Sequence, residues 1–191
     1  MTPAEVTDRF TKMNRIPVGI DCHATGGNIN FTLLSEIGPP GDAFAGTDLS
    51  GAEVAAVLRH GNRIVDYAAH PSLSTFRYAA IFVPDGTPQQ FVEDVSERDI
   101  KRIASRFGAH PVKIRYCGGA DRPHYSAVLC RKRSRGERWS WHADIDADAV
   151  SYVLRKGFDG VVDFHAFKGD SGVRFNLVTS GRQCQRVWPN R

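Results

Sequence analysis

Ser50-Gly-Ala-Glu-Val-Ala-Ala-Val-Leu-Arg-His-Gly61, then Ile64-Val-Asp-Tyr-Ala68, then Arg77-Tyr-Ala-Ala-Ile-Phe82, decides how this chain is read. The first piece spells a helix. Ser50 and Glu53 form a capping box, and Val54, Val57 and Leu58 make an apolar stripe at helical spacing. Gly61 supplies a left-handed stop, preceded by Arg59 and His60, which suit the negative end of a helix dipole. The other two pieces alternate polar and apolar residues around Pro71-Ser72 and read as a hairpin.

The same order recurs outward from this stretch. Thr2-Pro3-Ala4-Glu5 opens a stripe of Val6, Phe10 and Met13. Ser96-Glu97-Arg98-Asp99 opens one of Ile100, Ile103, Ala104 and Phe107, stopped by Gly108. Asp146 opens one of Val150, Val153 and Leu154, stopped by Gly157. Strand pairs follow at Val18–His23 and Asn30–Leu34, at Val112–Cys117 and His124–Leu129, and at Val161–His165 and Arg174–Val178. A weaker third run carries an aromatic: Phe44, Phe91, Trp139 with Trp141, and Trp188. The starts lie about 46 to 50 residues apart, a spacing that marks internal repeats.

The expected fold is therefore α+β, a single domain over 1–191. Its four helix–β-hairpin repeats span 2–48, 49–94, 95–144 and 145–191. Apolar helix stripes must cover the apolar sheet face, and eight antiparallel strands suffice to close a small barrel. The sequence thus predicts a pseudo-fourfold antiparallel β-barrel-like sheet with helices outside and a polar lumen. An open curved sheet is the alternative.

The helix, the hairpin with its glycine turn, the Arg77-Tyr-Ala-Ala-Ile-Phe82 strand, its counterpart His124-Tyr-Ser-Ala-Val-Leu129 and the late tryptophan together resemble the bacterial tandem repeat domain. That domain also forms the N-terminal half of fungal polyglycine hydrolases. The resemblance covers nearly the whole chain, more loosely in the first and last repeats. It implies the fold unit alone. The S-x-x-K nucleophile of the β-lactamase-like half has no counterpart here, so the hydrolase activity is not implied.

Composition bounds the function. The chain has 191 residues, 41% hydrophobic and 24% charged, the mix of an ordinary globule, which excludes collagen, coiled coil and wholesale disorder. No window approaches 18 apolar residues, so no membrane helix is expected. MTPAEVTDRF has no apolar leader, and a cytoplasmic location is the expectation. Cys22, Cys117, Cys130 and Cys184 form no C-x-x-C pair, so no zinc site is predicted and reduced thiols are expected. The net charge of +4 is concentrated in Arg131–Arg138, next to Trp139 and Trp141. One such run without a matching basic stripe reads as a solvated loop and argues against nucleic acid as a partner.

Alternation assigns the candidate site. On the polar strand faces, equivalent positions form three rings if the sheet closes. One holds Asp21, Asp66, Arg115 and Asp163; the next Asn30, Arg77, His124 and Arg174; the third His23, Ala68, Cys117 and His165. The third breaks the repeat, and a thiol near imidazoles is the composition of an activated nucleophile. The predicted catalytic set is His23, Cys117, His165 and His124. The predicted ligand-binding set is Asp21, Asp66, Arg77, Arg115, Asp163, Arg174 and Asn176, with arginines holding an anionic group. The function expected is a small-molecule-binding barrel, an enzyme of hydrolase, cyclase or lyase type doing acid/base or nucleophilic chemistry without a cofactor. A non-catalytic tandem-repeat interaction module is the alternative. A serine hydrolase using His70 and Ser171, from Gly169-Asp170-Ser171-Gly172, is a minor one.

Overall fold

Ser50, Ser96 and Asp146 open three helices in the computed structural model, which describes residues 1–2, 5–6, 8–9, 15–25, 28–38, 41–72, 75–118, 123–131, 138–155, 160–169 and 172–181. Helix α1 is Gly51–Arg59, α2 is Glu97–Arg106 and α3 is Ala147–Arg155. The caps are the ones read from sequence. Ser50 and Glu53 satisfy each other's backbone reciprocally, Ser96 accepts from the Asp99 amide, and Asp146 accepts from the Ala149 amide at 2.8 Å. Gly61 and Gly108 follow α1 and α2 with φ of 81° and 58°. Thr2 and Glu5 also form a capping box, leading into helical Glu5 and Val6. Phe10, Met13, Gly157, the 132–137 part of the basic run, Ser171, Cys184 and Trp188 lie outside the described residues.

Strands account for most of the described residues. They are β1 Arg15–Thr25, β2 Asn28–Ile37, β3 Phe44–Leu49, β4 Arg63–Ser72, β5 Thr75–Val83, β6 Gln89–Val95, β7 Ala109–Gly118, β8 His124–Arg131, β9 Trp139–Ile145, β10 Gly160–Gly169 and β11 Gly172–Ser180. The expected hairpins β1–β2, β4–β5, β7–β8 and β10–β11 are all present and antiparallel.

The expected barrel of four helix–β-hairpin repeats is not. The strands form four separate antiparallel sheets in the orders β1-β2, β3-β5-β4, β6-β8-β7 and β10-β11-β9, none closed. Each of the three aromatic third runs among the described residues, β3, β6 and β9, leaves its own hairpin and pairs with the second strand of the next, which becomes a central strand. A sheet finished at three strands has no partner to continue to. Register breaks at Val18, Val65, Val112 and Val162 insert one residue near the start of every first strand, and beyond them the faces read from the sequence hold: Asp21 lies opposite Thr32, Ala68 opposite Ala79, Arg115 opposite Ser126 and His165 opposite Asn176. Central strands are also covered on both faces: Tyr78 to Phe82 and Tyr125 to Leu129 are buried without interruption. No polar lumen remains.

The chain divides into two compact units, Met1–Glu93 and Asp94–Arg191, with the division inside β6. In the first, β1 lies along β4 and β5. Ile20, Cys22, Ile29, Phe31 and Leu33 of the first hairpin pack against Val65, Ala79 and Ile81 of the second, with Val6 beneath. In the second, β7 lies along β10 and β11 in the same way. No helix among the described residues is long and apolar enough to cross a membrane.

Candidate functional site

Two polar devices recur, and between them they absorb most of the predicted site. The first sits where the third strand meets the helix. Asp48, Asp94 and Asp144 have φ of 56°, 52° and 54°, a left-handed conformation that aspartate tolerates better than most residues. Each lies two residues before a helix cap. Each lies against an arginine or histidine from the start of a neighbouring strand. Asp48 Oδ1 is 3.1 Å from Arg77 Nε, Asp144 Oδ1 is 2.8 Å from Arg174 Nε, and Asp94 Oδ1 is 2.6 Å from His124 Nδ1. Arg77 and Arg174 also donate to the carbonyl of their own aspartate. The hydrogen bond to Asp144, with the charges of Asp144 and Asp146, holds the Arg174 proton more tightly than usual. Asn176 completes the third corner by accepting from the Asp144 amide at 3.1 Å. The predicted ring of Arg77, His124 and Arg174 thus becomes three separate corner locks.

The second device lies on the seam between paired hairpins. Just after its bulge, Asp66 turns toward β1 and accepts from the Ile20 amide at 3.0 Å. Asp163 repeats this on β7, accepting from the Ile114 amide at 3.2 Å. It adds a fork to Arg115, at 2.7 and 3.2 Å, and a contact with Lys113 Nζ at 3.4 Å. Arg115 and Asp163 are both buried. Burial alone would raise the Asp163 carboxyl, but the charges of Arg115 and Lys113 and the donated hydrogen bonds outweigh it and hold the pKa at about 2.

The remaining candidates are divided between the two units. Asp21 is exposed and accepts from the amide of Cys22. His23 is exposed, opposite Asn30 in the first unit, whereas Cys117 and His165 belong to the second. Cys117 is itself the inserted residue of a further register break between Tyr116 and Gly118, which removes it from the level the alternation assigned. Its Sγ lies 3.3 Å from Ser126 Oγ and 3.8 Å from the Arg115 carbonyl. His165 stacks on Phe167, which stacks on Tyr116. Cys22 donates to the Ala69 carbonyl at 3.3 Å, and burial, with Asp21 beside it, pushes its thiol up to about 12. His70 is buried edge-on against Phe31, and burial lowers its pKa. Among the described residues no three metal-ligating side chains meet.

One concavity in the second unit was not legible beforehand. An open groove of about 650 Å³ runs beside the start of α2, lined by Ser96, Glu97, Arg98, Lys101, Tyr125 and Asp144, among others. Burial, then the negative charges of Asp144 and Glu97, pushes the Tyr125 phenol well above its ordinary range. Lys101 lies 5.4 Å over the Trp141 ring. The corner aspartates did have a signal in the sequence. Asp48-Leu49-Ser50, Asp94-Val95-Ser96 and Asp144-Ile145-Asp146 place an acid two residues before every cap in the described helices.

No family model matches the chain, and no curated protein or solved structure matches it either.

Proposed function

We propose that this chain is a non-catalytic interaction module assembled from recurring β-α-β-β segments. One observation carries the reading. Every arginine that the sequence assigned to an anionic ligand is already held by an acid of the chain: Arg77 by Asp48, Arg115 by Asp163 and Arg174 by Asp144. A guanidinium forked by a buried carboxylate has no charge to spare for a substrate. Burial also moves His70, the base of the minor serine-hydrolase reading, away from basicity. The resemblance to the bacterial tandem repeat domain belongs to this reading, since tandem repeats commonly present surfaces to partners.

A small-molecule ligand is the second reading, and the groove of Glu97, Lys101, Tyr125 and Asp144 favours it. Native mass spectrometry of the protein isolated from its own cells separates the two. A module is expected to carry protein partners or none. A bound metabolite of fixed mass, lost on Tyr125→Phe or Lys101→Ala, overturns the proposal in favour of the groove.

A further inference from the structure

The second strand of three hairpins carries a third strand along its outer edge: β3 on β5, β6 on β8 and β9 on β11. The first hairpin differs, because β1 and β2 form a two-stranded sheet among the described residues. Bulges at Val18 and Val65 put β2 and β5 in one register, so Phe31, Leu33, Leu34 and Ser35 are the counterparts of Tyr78, Ala80, Ile81 and Phe82. Along β5, Leu49 lies opposite Tyr78, Gly46 opposite Ala80, Ala45 opposite Ile81 and Phe44 opposite Phe82. Along β2, Met1 takes the place of Leu49. It donates to the Phe31 carbonyl at 3.2 Å and accepts from the Phe31 amide at 2.9 Å. It also precedes the Thr2 cap as Leu49 precedes the Ser50 cap.

Past Met1 this edge is open among the described residues. In an antiparallel strand the N–H and C=O of every second residue point to the same edge. Phe31 points its pair at Met1, so Leu33 and Ser35 point theirs outward, and no described strand meets them. The side chains set the chemistry. Leu34, 65% exposed, shares one face of β2 with Thr32 and Glu36, and Asp21 lies beside Thr32; all are exposed. Asn30 stands where Arg77 and Arg174 meet their corner aspartates, so this corner has no arginine for an incoming acid. The open edge therefore combines outward backbone groups, an exposed leucine and acidic neighbours.

Resting on the interaction reading, we infer that the outer edge of β2 accepts an extended strand of a partner protein, antiparallel to β2, which continues the sheet. The incoming strand runs toward Met1, as β3 runs toward Leu49. Its successive residues lie opposite Glu36, Ser35, Leu34 and Leu33. An apolar residue opposite Leu34 covers that exposed side chain, as Ala45 lies opposite Ile81 and Trp141 opposite Val178. A lysine or arginine two positions earlier lies opposite Glu36 and makes a favourable cross-strand charge pair. The partner segment is thus basic, any residue, apolar, held by main-chain hydrogen bonds to Leu33 and Ser35.

The probe is a synthetic peptide copying residues 41–48 with Ala43→Lys, the position that the β3 register sets opposite Glu36, and its control carries Ala43→Glu. Amide shifts and hydrogen exchange of the full chain are followed by NMR. The lysine peptide is expected to shift and protect the Leu33 and Ser35 amides, and the glutamate peptide to bind about fivefold more weakly. Ser35→Pro removes an outward N–H, leaves the bonds to β1, and is expected to abolish binding. Leu34→Lys leaves the backbone unaltered at an exposed position and is expected to weaken binding of the lysine peptide. The inference is overturned if Leu33 and Ser35 stay unprotected at millimolar peptide, if both peptides bind equally, or if both variants bind like the unaltered chain. Native mass spectrometry still reports partners on any other surface, so failure here is distinct from failure of the interaction reading.

Discussion

Asp163→Asn removes one charge from the buried seam of the second unit and little volume. What remains is the buried Arg115 guanidinium, with Lys113 beside it, each deprived of the Asp163 carboxylate. Breaking a buried pair in this way costs about 3–5 kcal/mol, because the orphaned charge keeps its desolvation penalty. The pKa gives an independent scale. A fall from 3.8 to about 2 corresponds to roughly 2 kcal/mol of stability. The folded-state value is depressed, so this contribution is complete above about pH 4 and is lost as pH falls toward 2. Urea unfolding followed by circular dichroism measures the variant: with a slope near 2 kcal/mol/M, the midpoint is expected to fall by about 2 M. Arg115→Met with Asp163→Leu removes both charges and is expected to recover most of the loss. If Asp163→Asn shifts the midpoint by less than about 0.3 M, the pair does not hold the seam and the argument from it fails.

Three further outcomes follow from the same geometry. Asp144→Gly is expected to unfold at higher urea than Asp144→Ala, by about 1 kcal/mol, since both lose the Arg174 lock but glycine accepts φ of 54° without strain; equal midpoints would show that the backbone there is unstrained. His70 is depressed by burial, so its contribution is present above pH 6.5 and lost as pH falls. His70→Leu is expected to flatten the stability profile between pH 5 and 7, and an unchanged profile would refute that role. Cys22, with its thiol at about 12, is expected to resist alkylation at pH 8 until the protein is unfolded, and rapid labelling of the native protein at Cys22, read by peptide mass spectrometry, would contradict its burial.

Local structure was legible because it depends on near neighbours in sequence. Ser50 with Glu53, Ser96 with Asp99 and the glycines at 61 and 108 specify helix ends within four residues, and the hairpins close across short turns. The sheets were not legible, because nothing in Phe44, Phe91 or Trp139 says which hairpin its strand joins. The candidate site inherited that error. Alternation put Arg115 and Asp163 on the polar strand faces, and they lie there, but these residues meet along a seam between hairpins instead of lining a lumen. Asp66 does the same toward Ile20. Only Cys117, at a further register break, leaves the level that alternation assigned, because a period-two argument does not foresee a bulge.

The residues that break the repeat meet different surroundings in each hairpin. His124 stands at its corner where two sister corners have arginine, with its Nδ1 2.6 Å from Asp94. Asp66 and Asp163 reach the amides of Ile20 and Ile114, but the counterpart of Asp66 on the first hairpin is Gly19, and Leu34 stands exposed where Ile81 is buried. Asp21 and His23, chosen as lumen residues, lie on that same open face. Heterogeneity among repeats therefore tracks what each hairpin faces: a neighbour in the chain where the polar groups are locked, and open surface where they are not. An active site would have concentrated its departures around one cavity. Here they fall on the first hairpin's exposed face and on the seams, a distribution that fits the proposed interaction module better than a single cavity would.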